Sequence, residues 1–201
     1  ALGARAIGFM PMKENTEAVQ LLASLSPFLQ GLTTFPASEG KGLADTLHVQ
    51  GNDKFQAAFR NPPQTTRAIF FPGEPAAEPK ALELPAVPEE PFLTETAGQL
   101  GLRLWLEPLG DIGAAAEIAS CWKNDRYVLF PDGEASSAVL WEIELENAEA
   151  ADKLQTAASR LVAAMAGTQE KRHLKVTRPS PVRVRFLNTF EAATAAALGG
   201  D

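Results

Sequence analysis

The sequence predicts an α+β fold with a helical N-terminal half, a proline-rich strap, and a small antiparallel sheet packed on helices. Three observations predict it. Apolar residues recur at helical spacing through residues 16–60. Prolines at 72, 75, 79, 85, 88 and 91 then interrupt the chain too often for helix or sheet. Beyond them, β-rich runs flank one long amphipathic helix in the order strand, strand, helix, strand, strand. At 201 residues this reads as a single domain, with parts 1–71, 72–92 and 93–201.

Each element has its own local reasons. Asn15 is placed to cap a helix carrying Leu21, Leu22, Leu25 and Phe28, which Pro27 bends or ends near Ser26. A second helix is expected after Pro36, stopped by Gly51. Asn52 then caps a short helix with Phe55 and Phe59 at i, i+4, and Asn61–Pro62–Pro63 terminates it. Residues 72–91 read as an extended strap anchored by Leu82, Leu84 and Val87. Residues 93–109 and 110–122 read as two helices, the second capped by Asp111.

Tyr127–Phe130 and Ala138–Leu145 read as a hairpin around Asp132–Gly133. In its second strand Val139, Trp141 and Ile143 alternate with Glu142 and Glu144, which predicts one core face and one solvent face. Asn147 caps a helix over 148–166 with a stripe of Leu154, Ala158, Leu161 and Met165, and Gly167 stops it. Two further strands follow, and Thr189 caps an alanine-rich terminal helix. Arg183 and Arg185 are expected to pair across strands with Glu142 and Glu144 rather than form a docking surface.

Composition excludes several functions. The net charge of −7 argues against a nucleic-acid partner, which would need clustered Lys and Arg. No apolar run is long enough to span a membrane. Cys121 is the only cysteine, so no intrachain disulfide forms. His48, His173 and Cys121 lack metal-site spacing, and no H-E-x-x-H occurs, so neither a metal nor another cofactor is expected. No G-x-S-x-G and no phosphate-binding glycine loop is present, so no catalytic residues are assigned. The most distinctive polar cluster is "CWKNDRY". Trp122, Asp125, Arg126 and Tyr127 are its candidate binding residues, and the competing reading is a helix-to-strand corner in which Asp125 accepts from turn amides.

Those residues also carry a resemblance. "AAAEIASCWKNDRYVLF" followed by "SAVLWEIELENAEAADKL" resembles the C-terminal part of bacterial zinc metallopeptidase-like proteins of the gluzincin type. Trp122, Asp125 and Tyr127 match that family's corner, with Lys123 and Asn124 in place of two glycines. "PFLQGLTTF", "NPPQTTRAIFFPGEP" and "LGLRLWL" fit it in the same order, through Pro27, Gly31, Phe35, Pro62, Pro63, Thr65, Thr66, Ile69 and Pro72. Arg67, Ala68 and Phe71 stand where the family usually has Glu, Gln and His. The match covers roughly residues 19–165.

The resemblance implies a region lying after the catalytic helices, so none of the family's zinc or general-base residues carries over. The expected function is a non-catalytic, peptidase-derived binding or structural module with a protein or peptide partner. The alternative is the C-terminal fragment of an active zinc metallopeptidase whose catalytic helices lie upstream of Ala1. Family likeness and an initial Ala in place of Met give an extracytoplasmic expectation.

Overall fold

The computed structural model describes residues 16–74, 81–133, 136–166 and 171–200. It is an α+β protein in two parts. The first is a layer of short helices: α1 (Thr16–Ser24), α2 (Pro27–Thr34), α3 (Glu39–Val49), α4 (Asn52–Arg60) and α5 (Thr66–Phe70). Ser26 caps α2 by accepting the Leu29 N–H, and Pro27 supplies the first turn, where its missing N–H costs nothing. Gly51, at φ 116°, holds the N-cap position of α4, so Asn52 is the first helical residue rather than the cap. The Asn15 cap lies outside the described residues.

The second part is a five-stranded antiparallel sheet in the order β1-β2-β3-β5-β4. Its strands are β1 (Leu93–Glu95), β2 (Trp122–Pro131), β3 (Ser137–Leu145), β4 (His173–Ser180) and β5 (Arg183–Thr189). Helices α6 (Gly98–Leu106), α7 (Ile112–Ser120) and α8 (Ala148–Ala166) contribute to the core on one face. Helix α9 (Ala192–Leu198) reaches the other face through Leu198. Asn147 Oδ1 caps α8 at the Ala150 N–H, 2.9 Å away, and Leu154, Ala158 and Leu161 are buried along its stripe. The expected Gly167 stop lies outside the described residues. Thr189 Oγ1 accepts the Glu191 N–H at 3.1 Å, bracing the entry to α9 while Glu191 takes the N-cap position.

Three further expectations need correction. Leu93–Glu95 is a strand, not the start of a helix: it pairs with Leu129, Val128 and Tyr127 of β2. Pairing along a sheet edge outweighed local helix preference, and α6 begins only at Gly98. Trp122 opens β2 instead of ending α7, and the helix-to-strand corner expected there is an irregularity in the β2–β3 register between Trp122 and Asn124.

The third correction concerns the glutamate face of β3, which is not a solvent face. Leu140 is fully buried there with Val128, Phe130, Ala138, Leu187 and Leu198. Leu84 and Val87 of the strap pack on this second core, and Leu82 is also buried. Residues 75–80 of the strap lie outside the described residues. Glu142, 2% exposed, stays on this face because Arg183 and Arg185 come with it.

The main core lies on the opposite face. Trp141 meets Trp105 edge-on at 5.2 Å between ring centres, and Trp105 also meets Phe186 at 5.0 Å. Leu102, Leu106, Ile118, Ile143 and Leu154 fill the space around them. Leu140→Ala should cost about 2–5 kcal/mol, the range for a buried leucine. Chemical denaturation checks this; a loss below about 1 kcal/mol would mean the glutamate face is not core.

Candidate functional site

The corner around Trp122 is organised by one buried carboxylate. Asp125 is 1% exposed and accepts four N–H groups. Oδ1 takes the Gly98 N–H and the Trp122 indole N–H, both at 2.9 Å. Oδ2 takes the Ala97 N–H and the Trp141 indole N–H, both at 2.8 Å. A carboxylate has about four lone-pair sites, so the fold uses its acceptor capacity fully. Burial pushes the carboxyl above the ordinary aspartate value while the four donors pull it down, and the net shift is upward.

The local backbone makes this possible. Gly98 has φ +69° and aims consecutive amides of the α6 entry at one carboxylate. A Cβ there would come within 2.8 Å of Thr66 Oγ1, so the position has no room for a side chain. The register of β2 shifts between Trp122 and Asn124, and across that irregularity the Trp122 indole N–H donates to the Asp125 carboxylate three residues on.

The other two candidates are also tied into the fold. Arg126 Nη1 donates to the Leu82 carbonyl at 3.1 Å and so holds the strap on β2. Tyr127 packs half-buried on the main core, and burial with Glu95 and Asp125 nearby lifts its phenol above the usual value. Trp122, Asp125 and Tyr127 therefore lie on the main-core face, whereas the Arg126 side chain lies on the other face of β2 and is not brought together with them. Trp122 and Asp125 are inaccessible, and Arg126 borders a cleft of about 430 Å³ between strap and β2.

Arg67 is the residue the sequence reading did not assign. It projects from α5 and donates to the Ser120 carbonyl and, at 3.2 Å, to the Trp122 carbonyl. It also pairs with Glu74 and Glu146, each at 3.0 Å, and stacks over Phe71. Carbonyls at a helix C-terminus lack intrahelical donors and carry partial negative charge, so a guanidinium there is well placed. The available signal was its departure from the resembled pattern, a cation where that family has Glu.

A charge ladder crosses the second face of the sheet. Glu142 faces Arg185 and Glu144 faces Arg183 in register. Arg185 donates to Glu142 through Nε at 3.1 Å and Nη2 at 2.9 Å, and Arg183 pairs with Glu144 at 2.9 Å. Desolvation alone would raise the Glu144 carboxyl, but Lys123 and Arg183 hold it below its ordinary 4.5.

Two further grooves lie among the described residues. One of about 550 Å³ runs between α7 and α8 over Leu106, Ala115, Ile118 and Ala157. Lys153 on its rim pairs with Glu117 at 2.8 Å and Glu149 at 3.2 Å. Another, of about 490 Å³, lies between α3, α4 and Pro62–Pro63, lined by Leu43, Leu47, Ala58 and Ala68. Among the described residues, no three His, Cys, Asp or Glu side chains gather as a metal site, and no helix is long and apolar enough to cross a membrane.

A family model described as a domain of unknown function (DUF8575) matches residues 90–197, just over half of the chain. The chain belongs to this family. No curated protein and no solved structure matches it. The DUF8575 match includes the sheet and α6–α8 and ends within α9. The Asp125 corner and the charge ladder lie inside that region, whereas Arg67 and the Pro62–Pro63 groove precede it.

Asp125→Asn keeps the volume but turns an NH2 toward one pair of N–H donors. Two buried donors then lose their acceptor, at about 1–3 kcal/mol each. The thermal midpoint should fall by roughly 5 °C or more for a chain of this size. An unchanged midpoint would show that the four bonds are not what holds the corner. Glu144 gives a pH signature. Its folded value is depressed, so its contribution is present above about 4.5 and is lost as pH falls through the folded value. Glu144→Gln should therefore show a shallower loss of stability below that pH. Parallel curves for variant and wild type would contradict the assignment.

Proposed function

We propose that the chain is a non-catalytic, peptidase-derived binding module that presents its helical layer to a protein or peptide partner outside the cytoplasm. One observation carries this reading. Val19, Leu21, Leu29, Leu32, Val49 and Phe59 stand 37–87% exposed on α1–α4. Single exposed apolar residues are ordinary, but six on four short successive helices are a pattern typical of interaction surfaces.

Helix α4 supports the reading further. Its mean character is polar, yet Phe55 and Phe59 stack edge-on at 5.1 Å with Phe59 71% exposed. Rigid aromatic anchors next to an apolar groove are a common basis for partner affinity. The expected partner segment is apolar, since the nearby groove is lined mainly by Leu, Ala and Pro. The saturated Asp125 corner favours a non-catalytic role, because its carboxylate has no free lone pair for a substrate or metal. Ancestry and compartment rest on the gluzincin likeness alone.

The same apolar layer favours a second reading, the C-terminal fragment of an active zinc metallopeptidase. Catalytic helices encoded ahead of Ala1 would then cover α1–α4. An in-frame H-E-x-x-H upstream supports this version, and its absence removes it.

Metal analysis and peptide hydrolysis on the purified 201-residue chain test the leading proposal. Background zinc and no turnover are expected; stoichiometric zinc with turnover overturns it. Phe59→Ser should change stability by no more than about 0.5 kcal/mol, as exposed substitutions do. It should also weaken cross-linking to a partner in extract. A wild-type chain that stays monomeric and cross-links to nothing would count against the module.

A further inference from the structure

The helical layer meets the rest of the protein through a small contact. Among the described residues of α2–α5 none is buried, and Phe35, in the short turn after α2, is the buried side chain that this part of the layer contributes. Phe35 packs with Leu100 and Leu104 of α6, flanked by Phe28, Ile69 and Phe70. Gly31 makes room for this: a Cβ there would come within 2.3 Å of Leu104 Cδ2.

Helix α6 does not depend on that contact to stay in place. Leu102 and Leu106 belong to the main core. The α6 entry is held by Asp125 through the Ala97 and Gly98 amides. Helix α6 is thus anchored on one side by the sheet domain and covered on the other by the layer.

Polar contacts fasten the cover. Thr66 Oγ1 accepts the Leu100 N–H at 3.1 Å, and Arg103 pairs with Glu39 at 3.3 Å. Arg67 makes the most connections, reaching two carbonyls at the α7–β2 corner and the Glu146 carboxylate. Its side chain is 21% exposed and the Glu146 side chain 47%, so the ion pair is screened while the carbonyl bonds are better sheltered. Regions with few buried apolar contacts open locally at free energies well below global unfolding.

We infer that α2–α5 form a detachable cover on α6, latched by Arg67, which lifts as a unit and uncovers the Leu100–Leu104 face while the sheet domain stays folded. The uncovered face is apolar and carries one cation, Arg103. It is distinct from the exposed residues on which the binding-module reading rests, so either proposal can fail alone.

Hydrogen exchange on the full chain tests it. Amides of α2–α5 should exchange as a group at least roughly tenfold faster than those of β2, β3 and β5. Equal protection in layer and sheet would overturn the proposal. Arg67→Ala should speed exchange in the layer by roughly tenfold again and leave the sheet unchanged, as expected for losing charge-assisted bonds. Equal loss of protection in both parts would make Arg67 a global stabiliser and not a latch. Arg67→Lys, which keeps the charge but loses the fork, should fall between; if it matches Ala, the forked carbonyl contacts are the latch, and if it matches wild type, the forked latch is refuted.

Discussion

Four N–H groups converge on the Asp125 carboxylate, and the arrangement of the sheet domain depends on that convergence. The donors come from the α6 entry, the start of β2 and the middle of β3. One buried acceptor therefore fixes a helix, two strands and two indole rings relative to one another. The bonds have direction, which apolar packing around Trp122 and Trp141 does not. Sheltered from water, each is worth more than at the surface, and each would leave a costly orphan if broken. This explains why a carboxylate is kept in a place where burial works against its charge.

The second core imposes a different constraint. A sheet apolar on both faces needs cover on both, and here the second cover is thin: Leu198 of α9 and a strap with two or three apolar anchors. Where cover runs out, the same face becomes the Glu142–Arg185 and Glu144–Arg183 ladder. Glu142 is nearly inaccessible, so removing one of its arginines would leave a poorly compensated charge rather than merely a missing surface pair. Arg185 also donates to the Leu198 carbonyl at 3.4 Å, which ties the ladder to the C-terminus of α9. The charged and apolar halves of the face are thus mechanically linked.

Much of the fold was legible because local rules determined it. Asn147 and Asp111 cap where short-range chemistry places them, and the alternation in β3 and β5 set their register against each other. Strand β1 was not legible, since three residues become a strand only when β2 offers an edge. The solvent face of β3 was misjudged for a related reason: period-two alternation separates two faces but does not say what lies over each. The corner was legible as a polar cluster, and Trp122 at i−3 from Asp125 is a local pair. The remaining donors lie 16–28 positions away, and no pattern announced them.

The match to DUF8575 and the physics of burial divide the molecule at nearly the same place. The family region begins at residue 90, just before β1, and contains the main core and most of the second, which is completed by Leu198 and by Leu84 and Val87 of the strap. Ahead of it, helices bury little and expose much, and the stretch "NPPQTTR" supplies the join. Pro62 and Pro63 end α4, Thr65 caps α5, Thr66 bonds to α6, and Arg67 reaches the α7–β2 corner. Few buried atoms connect the two parts, so their coupling rests on directional polar contacts concentrated in two consecutive residues, Thr66 and Arg67, with the Glu39–Arg103 pair beside them. A connection of that kind is specific without being strong. It sets the layer in one orientation while leaving the energy of lifting it far below the energy of unfolding the sheet.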